Sequence, residues 1–321
     1  MRASLNLMPE IPIAEVVELA RHAEALGFDR CWVYDEGLAT RDVYVTLAAI
    51  AAATARMELG TGITNPFTRH PAATAAAIAS LDELSGGRAF LGIGAGGSLT
   101  LGPLDVDRSR SLTDVRDTIV ACRSLFSGTA TTMTARRFTL RGARLDYARA
   151  SLPIWLAGRG PKMLQLGGAL ADGVMLDFLH HDVIGDAVAL VRRAGEEAGN
   201  QPKLCYATLV VTSDEAMQAA KPHLTYRLVD STPRVRELIG ITDGEVETIR
   251  AAMVEGVHAA GRHVRDEWVR PFVLFGTPVE CATQLRRLQA EHGFDEFMLP
   301  VLEHATAGAL LETVAAMLRS P

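Results

Sequence analysis

The stretch GTGITNPFTRHP, residues 60–71, lies at a junction between two regular elements and decides how the fold is interpreted. The apolar run that leads into it, MELG at 57–60, has the pattern of a strand. The segment that follows, AATAAAIASLDEL at 72–84, has the pattern of a helix. The residues between these two segments match neither the period of a strand nor that of a helix, and they include two glycines, an Asn-Pro and an Arg-His-Pro. This composition indicates a loop of defined conformation between the strand and the helix of a βα unit.

The chain repeats this order of strand, short loop and helix along much of its length. Strands are predicted at residues 3–7, 30–35, 57–64, 88–96, 153–158, 173–179, 204–212 and 296–302. Helices are predicted at residues 13–27, 43–55, 71–85, 111–126, 161–171, 183–198 and 305–319. Eight strands that alternate with helices predict an α/β protein built as a TIM-like (β/α)8 barrel.

Two intervals are too long for a single crossover connection. Residues from about 97 to 152 have room for a helix and a hairpin at about 136–148, and residues from about 213 to 295 have room for several helices. We interpret both as insertions in one barrel domain, residues 1–321, because no low-complexity segment marks a boundary. An open doubly wound sheet is the competing fold, but the partial glycine motif GIGAGG follows the fourth strand rather than the first.

The composition is that of a soluble globular protein, with 48% hydrophobic and 22% charged residues. No apolar run approaches the ~18 to 20 residues of a membrane helix, and the N-terminus lacks the apolar part of a secretory signal, so a cytoplasmic location is predicted. A net charge of −6 without a basic block argues against a nucleic-acid partner. Four widely spaced cysteines without a CxxC motif predict buried thiols rather than a disulfide framework or a metal site.

The carboxyl ends of the strands are where a barrel of this type carries its functional groups. The second strand ends in two acids, and the third, fourth and fifth strands end in glycine-rich turns. Glycine has no Cβ atom to hold a ligand away from the backbone, so three such turns favour a large flat or phosphorylated ligand. The residues concerned are Asp35, Glu36, Gly62, Ile63, Thr64, Asn65, Gly94, Ala95, Gly96, Ser98, Gly158, Arg159, Gly160 and Lys162.

The motif GRGPK at 158–162 has a more specific interpretation. Proline at 161 suits the first turn of a helix, whose free N–H groups and dipole favour an anion beside the preceding glycines. Arg159 and Lys162 add positive charge, so the motif predicts a phosphate site. A plain helix start with solvated basic side chains is the alternative.

The adjacent acids Asp35 and Glu36 are placed where an acid or base would act, because one carboxylate beside another raises the pKa of one of the pair. The alternative is that Asp35 caps a turn or pairs with Arg41 while Glu36 is solvated. His180, His181 and Asp182 follow the sixth strand and either contact a ligand or form a loop and helix cap. No third ligand is in view, so no metal site is predicted.

Several motifs together resemble the luciferase-like oxidoreductases. They are, in order, WVYDE at 32–36, LGTGITNPFTRHP at 59–71, LDELSGGRAFLGIGAGGS at 81–98, PIWLAGRGPK at 153–162 and FGTPVECATQLRRL at 275–288. Within the superfamily the chain is most similar to the branch typified by methylenetetrahydromethanopterin reductase, which uses coenzyme F420. The resemblance runs from the first strand to the last helix and implies a TIM-like barrel, a deazaflavin or flavin at its carboxyl face and a homodimer.

The resemblance also implies roles for particular residues. It places a non-prolyl cis peptide at Gly62–Ile63, against the back of the cofactor ring, and the ring edge near Asn65 and residues 94–98. It places the cofactor phosphate at residues 158–160, with Asp172 and Gly173 nearby. Asp35 matches the acid of the second strand, whereas Glu36 stands where F420 enzymes of this group often have histidine. This departure concerns proton transfer and the substrate rather than the cofactor site.

The function predicted from these features is hydride transfer between F420 and a small organic substrate, with a proton relay through Asp35 or Glu36. An FMN-dependent monooxygenase of the same superfamily is the first alternative. A lyase or isomerase acting on a phosphorylated metabolite is the second, and its Schiff-base form needs a lysine inside the barrel, where none of the three lysines is predicted. A cofactor-binding protein without turnover is the third. The alanine-rich helices at 44–54 and 72–81 are candidates for a dimer interface.

Overall fold

The computed structural model describes residues 1–97 and 101–319. In chain order the strands are β1 (Arg2–Leu7), β2 (Arg30–Val33), β3 (Glu58–Thr61), β4 (Ala89–Ile93), β5 (Thr131–Thr134), β6 (Thr139–Ala143), β7 (Ile154–Ala157), β8 (Gly173–Asp177), β9 (Lys203–Ala207), β10 (Val210–Val211), β11 (Leu274–Phe275) and β12 (Glu296–Val301). Eight of these described strands close a parallel barrel in the order β1-β12-β9-β8-β7-β4-β3-β2. The barrel predicted from the sequence is therefore confirmed.

Helices surround the barrel and cover one end of it. They are α1 (Ile13–Leu26), α2 (Val43–Ala53), α3 (Pro71–Ser85), α4 (Ser111–Phe126), α5 (Pro161–Leu170), α6 (Ile184–Ala198), α7 (Asp214–Val229), α8 (Pro233–Ile239), α9 (Asp243–Ala252), α10 (Val257–Gly261), α11 (Asp266–Val269), α12 (Pro278–His292) and α13 (Ala307–Arg319). Within the described ranges no helix is both long and apolar enough to cross a membrane.

Local sequence signals explain the ends of several helices. The helix α3 begins with Pro71 after His70, whose ring accepts a hydrogen bond from the Ala72 N–H, and it ends at Gly86 with φ +69. The helix α12 has a capping box between Thr277 and Glu280. These caps fix the first residue of each helix. They thereby set the length of the loop between the preceding strand and that helix at the carboxyl end of the barrel.

Side chains fill the barrel itself and exclude a channel through it. Successive residues of a strand point to opposite faces, so one set packs on the helices and the other fills the interior. The interior set forms its own buried cluster of Trp32, Phe90, Trp155, Met175, Cys205, Ala207 and Met298. Below it, buried Arg30 pairs with Glu296 and Glu58. The amino end of the barrel is thus closed, and only the carboxyl end can hold a ligand.

The two long intervals differ in detail from the prediction. The hairpin lies at 131–143 rather than at 136–148, because the β-branched threonines of 131–134 already form its first strand. The predicted strand 204–212 is divided: β9 stays in the barrel, whereas β10 leaves it and pairs with β11. Between β10 and β11, the helices α7 to α11 share a second hydrophobic cluster that includes Phe178 of the barrel. We call residues 212–273 the insertion. It packs on the carboxyl end of the barrel.

Candidate functional site

The carboxyl end of the barrel opens into a cleft with a volume of about 760 Å³. The last residues of β1 and the segments after β2, β3, β4, β7 and β8 line one side, and residues 227–235 of the insertion line the other. A cavity of this volume is typical of a site for a cofactor or another small molecule. It lies where the sequence predicts the functional groups of a barrel.

Half of the predicted site residues lie in the wall of this cleft. Turns that are far apart in the sequence meet here because the strands before them are neighbours in the barrel. The predicted residues that line the cleft are Glu36, Gly62, Ile63, Ala95, Gly96, Gly158, Arg159 and Gly160. Because half of these residues are glycines, backbone forms much of the wall, which permits close approach of a flat ligand.

The turn after β3 is built around Gly62. The Gly62–Ile63 peptide bond is cis, in agreement with what the resemblance implies. Asn6, at the end of β1, donates a hydrogen bond from Nδ2 to the Gly62 carbonyl oxygen over 2.6 Å. A Cβ atom on residue 62 would lie 2.6 Å from both Asn6 Oδ1 and Trp32 Cβ. Glycine is therefore the residue that fits here without movement of its buried neighbours.

Two inward-facing polar residues, Asn6 and Tyr34, also line the cleft, and the sequence reasoning missed both. Asn6 is 1% exposed, and its Oδ1 atom has no donor within the part of the chain that the structure describes. A buried acceptor of this kind can receive a hydrogen bond from a bound molecule. Burial, and then the charges of Asp177 and Glu36, raise the pKa of Tyr34, so its phenol stays protonated at neutral pH. The period-two alternation of β1 and β2 is the signal that could have identified them.

The two predicted acids point in different directions. Glu36 lines the cleft, whereas Asp35 does not. The Thr64 hydroxyl, which is fully buried, donates a hydrogen bond to Asp35 Oδ2 over 2.6 Å. Burial raises the pKa of Asp35 in spite of this hydrogen bond. The hydrogen bond between Asp35 and Thr64 supports the turn after β3, and the predicted ligand roles of these two residues stay predictions.

Asn65 and Gly94 also lie behind the wall rather than on its surface. Asn65 Oδ1 accepts hydrogen bonds from the backbone N–H groups of Phe67 and Thr68, over 2.9 and 3.0 Å, and so fixes the turn. A Cβ atom on Gly94 would lie 2.2 Å from the side chain of Ile63, which packs over it. The Nδ2 atom of Asn65 has no acceptor among the described residues, so the expected position of a ring edge near Asn65 stays a prediction.

Lys162 is placed outside the cleft. It lies in the first turn of α5 and borders a separate outer groove between α4, α5 and α6. Arg159 and Lys162 were predicted to add charge to the same site, but the turn of the helix directs them to different surfaces. Ser98, the other predicted residue of the turn after β4, lies outside the described residues.

Asp172 and Gly173 are at the opposite end of the barrel from the predicted phosphate site. Asp172 forms an ion pair with Arg123 and accepts a hydrogen bond from the Ile154 N–H over 2.7 Å. Gly173 begins β8 and pairs in register with Trp155 of β7. At the rise of an extended strand, Gly158 lies roughly 10 Å further toward the carboxyl end than that pair. The two residues therefore organise the start of β8 rather than a ligand site.

The insertion contributes a charged wall that no strand-end motif indicates. Arg227, in the last turn of α7, forms an ion pair with Asp177, and its guanidinium carbon lies 5.2 Å from the centroid of the Phe178 ring. Arg159 reaches solvent through the cleft, yet the surrounding protein removes part of its hydration. This desolvation, and then the positive charge of Arg227, lower the pKa of Arg159 to about 10.

The histidines after β8 act first as structural residues. His180 Nδ1 accepts a hydrogen bond from the Asp182 N–H at the start of a short helical turn, which confirms the cap interpretation, and His180 also lines the cleft. His181 Nε2 lies 3.2 Å from the Tyr206 hydroxyl. Among the described residues, no three His, Cys, Asp or Glu side chains are grouped in a way that could hold a metal ion.

We expect His181→Gln to reduce the loss of stability at acid pH. Burial, and then the charges of His180 and Arg287, lower the pKa of His181 to about 4. In the unfolded chain the His181 imidazole has a pKa near 6.5, so it binds a proton more tightly than in the folded protein. The contribution of His181 to stability is therefore present above pH 6.5 and is lost as the pH falls toward 4. The full difference is at most about 3 kcal/mol.

Urea unfolding at pH 7 and pH 4.5 measures the effect. The drop in unfolding free energy between the two pH values should be smaller in His181→Gln than in the parent. His22→Gln, at a half-exposed position on α1, is the control. The same drop in parent and His181→Gln would contradict the assignment.

Together, the fold and the cleft identify the class of protein as a (β/α)8 barrel enzyme whose ligand cleft lies at the carboxyl ends of the strands. The family model described as luciferase-like monooxygenase matches residues 1–296, and the chain therefore belongs to the luciferase-like family. This confirms the resemblance seen in the motifs.

Relatives within the family are known. The chain is 33% identical over 296 residues to the 5,10-methylenetetrahydromethanopterin reductase of Methanolobus tindarius, with 90% of each chain covered. It is 31% identical over 299 residues to the reductase of the same name from Archaeoglobus fulgidus, again with 90% of each covered.

Solved structures agree on the fold. The coenzyme F420-dependent tetrahydromethanopterin reductase from Methanopyrus kandleri matches with a TM-score of 0.86 at 23% identity, over 98% of this chain and 97% of that one. An F420-dependent secondary alcohol dehydrogenase, solved with an F420–acetone adduct, matches with a TM-score of 0.80 at 19% identity, over 99% of both chains.

Proposed function

We propose that the protein is an F420-dependent oxidoreductase that transfers a hydride between the deazaflavin and a small organic substrate. The observation that carries the proposal is the backbone wall of the cleft, formed by the turns after β3, β4 and β7. Relatives at 33% and 31% identity named as methylenetetrahydromethanopterin reductases support it. The substrate itself is left open, because Glu36 replaces the histidine expected from the resemblance.

The residues of the cleft fit a flat cofactor that carries a phosphate. We assign the ring to the wall formed by residues 62–63 and 95–96, and the phosphate to residues 158–160 with Arg159. A Cβ atom on Gly158 would lie 2.4 Å from Met163 Cγ, and Gly96 has φ +70, so close packing and backbone conformation require glycine at these two turns.

The residues of the chain would position the reactants and move one proton. When bound, F420 supplies the ring carbon that accepts or donates the hydride. We assign Tyr34 as a hydrogen-bond donor to the substrate, because its raised pKa keeps the phenol protonated and its side chain lines the cleft. We assign the proton transfer to Glu36, whose carboxyl group also lines the cleft. Asn6 Oδ1 would accept a hydrogen bond from the ligand and orient it.

The Schiff-base alternative finds no support in the position of the lysines. All three lysines of the sequence lie in the described ranges, and none lines the cleft. Lys162 borders the outer groove, Lys203 is exposed at the start of β9, and Lys221 pairs with Asp266 over 2.7 Å. A covalent intermediate with a substrate in the cleft would need one of them to move there.

Parallel titrations with F420 and FMN, followed by fluorescence, test the cofactor. We expect the protein to bind F420 at least about tenfold more tightly than FMN, a difference of about 1.4 kcal/mol. Lys162→Gln should leave the F420 affinity unchanged, because Lys162 lies outside the cleft. Tighter binding of FMN would favour the flavin-dependent monooxygenase, and absence of F420 binding would refute the proposal.

We also propose that the enzyme is a cytoplasmic homodimer that pairs through α2 and α3. Val45 on α2 and Leu84 on α3 are large apolar residues that are 58% and 55% exposed, beside the exposed Ala52 and Ala73. Burial of such a face in a second subunit would stabilise the pair. Light scattering should report a dimer at micromolar concentration and a monomer for Val45→Arg/Leu84→Arg. A monomeric parent protein would refute the interface.

A further inference from the structure

Arg227 carries a positive charge from the insertion to the barrel. It lies in the last turn of α7, is paired with Asp177 at the end of β8, and lines the cleft. Its side chain is only 17% exposed. The ring of Phe178 lies against its guanidinium group. A charge that belongs to the insertion is therefore held at the mouth of the barrel.

The residue against which Arg227 packs has an unusual backbone. Phe178 has φ +48, in the left-handed region that residues with a Cβ rarely adopt, and its N–H donates a hydrogen bond to the Ala207 carbonyl oxygen over 2.9 Å. Such conformations persist where the surroundings hold them, and they are common at ligand sites. The backbone at Phe178 independently marks this wall of the cleft as a binding surface.

The hydrogen bonding of Arg227 is incomplete. A guanidinium group has five N–H donors. Asp177 accepts from Nη2, whereas Nε is buried and has no acceptor among the residues that the structure describes. A buried donor without an acceptor is costly, so rearrangement toward an additional acceptor would stabilise this side chain.

Among the residues that the structure describes, four arginines and four acids line the cleft. Arg159 forms no ion pair with any described residue. After desolvation, the charge of Arg227 is the next cause that lowers the pKa of Arg159, ahead of the opposing effects of Asp177 and Asp230. The positive charge of Arg227 thus acts on Arg159, while Asp177 and Asp230 act in the opposite direction. An anion placed between the two guanidinium groups would offset the effect of one positive charge on the other.

We propose that Arg159 and Arg227 together bind one phosphate-class oxyanion, with Arg227 turning from Asp177 to the ligand. Guanidinium forks match the oxygens of phosphate and form charge-assisted hydrogen bonds with it. The bound anion connects the loop after β7 to α7 of the insertion, so ligand binding closes the insertion over the barrel. This proposal rests on the proposed function, which already assigns a phosphate to Arg159, and it adds Arg227 of the insertion as a second ligand of a phosphate from either the cofactor or the substrate.

Isothermal titration with inorganic phosphate, in a phosphate-free buffer and without cofactor, tests this site. We expect saturable binding by the parent protein and binding at least tenfold weaker in Arg227→Gln. Asp177→Asn should bind at least as tightly as the parent, because Arg227 loses its competing carboxylate. Arg234→Gln is the matched control: Arg234 also lines the cleft, but it pairs with Asp186 over 2.6 Å and both side chains are 63% exposed. Its phosphate affinity should not change.

A double variant separates binding from folding. Asp177→Asn/Arg227→Gln removes both charges together, so no unpaired acid is left, and it should still lose phosphate binding. Parent-like phosphate affinity in this variant, or no saturable binding by the parent, would overturn the proposal. Repeating the titration after saturation with F420 identifies the source: lost binding assigns the anion to the cofactor, and retained binding assigns it to the substrate. Because the first titration uses no F420, it stands even if the cofactor proposal fails.

Discussion

Gly62→Ala is expected to abolish cofactor binding and to lower the unfolding free energy by about 1 to 3 kcal/mol, the usual cost of overpacking a filled core. The added Cβ would lie 2.6 Å from Asn6 Oδ1 and from Trp32 Cβ. Both neighbours are buried, at 1% and 0% exposure, and belong to barrel strands that cannot separate. The turn after β3 must therefore move, and with it the Ile63 wall of the cleft.

Chemical unfolding and F420 fluorescence titration measure the two effects of Gly62→Ala. Gly244→Ala is the control: residue 244 lies in the first turn of α9, and no atom lies within 4 Å of an added Cβ there. That variant should keep the parent affinity and be as stable or slightly more stable, since alanine favours a helix over glycine by up to about 1 kcal/mol. Parent stability and parent F420 affinity in Gly62→Ala would show that the turn does not back the ligand.

Arg30→Met is expected to lower the unfolding free energy by about 3 to 5 kcal/mol, because it leaves the buried carboxylate of Glu296 without its cation. Arg30 is 3% exposed and Glu296 is 1% exposed, with 2.5 Å between Nη1 and Oε2. The guanidinium carbon also lies 4.5 Å from the Trp155 ring centroid and 4.7 Å from that of Phe90. Within the described part of the chain, Arg30 is the cation that pairs with Glu296, and the filled interior leaves no room for water to replace it.

The loss in Arg30→Met should depend on pH. Burial alone would raise the pKa of Glu58, but the charge and hydrogen bonds of Arg30, and then of Arg2, outweigh it and lower that pKa. The contribution of Glu58 is therefore present above its ordinary pKa near 4.5 and is lost as the pH falls through the lower folded value. The destabilisation caused by Arg30→Met should thus shrink as the pH falls below 4.5.

Urea unfolding at pH 7 and pH 4 measures both predictions for Arg30. Arg21→Gln is the control, because Arg21 pairs with Glu18 on the exposed face of α1, where side chains are 58% and 68% exposed. Surface pairs of this kind contribute about 0 to 1 kcal/mol. If Arg30→Met unfolds within about 1 kcal/mol of the parent, the buried cluster does not hold the amino end of the barrel together.

Most of the barrel could be predicted from the sequence because its signals are local. The alternation of apolar residues in ASLNL, the proline at 71 and the glycines at 27 and 86 each act within a few residues of where they stand. The same local reasoning failed at 204–212, where an apolar run leaves the barrel partway along. Nothing within that run shows that Val210 and Val211 pair with residues 274–275 instead.

The site was predicted in outline and misplaced in part. The glycine-rich turns could be assigned to the cleft because strand ends of a parallel barrel meet at one face. Lys162 was misplaced because the motif fixes the position of a residue in the chain, not the direction of its side chain. Asp172 was misplaced because resemblance to a family locates a residue near a strand without telling which end of the strand it occupies.

The sequence by itself therefore determined the barrel, the glycine-backed wall and the family, since all of these follow from periodicity, caps and ordered motifs along one chain. Only the tertiary structure decided which other polar groups line the cleft: Asn6 and Tyr34 from inside the barrel, and Arg227 from the insertion. The physical reason is that charge pairing and burial depend on distances between segments that lie far apart in the chain. Those distances exist only after the insertion has packed on the barrel.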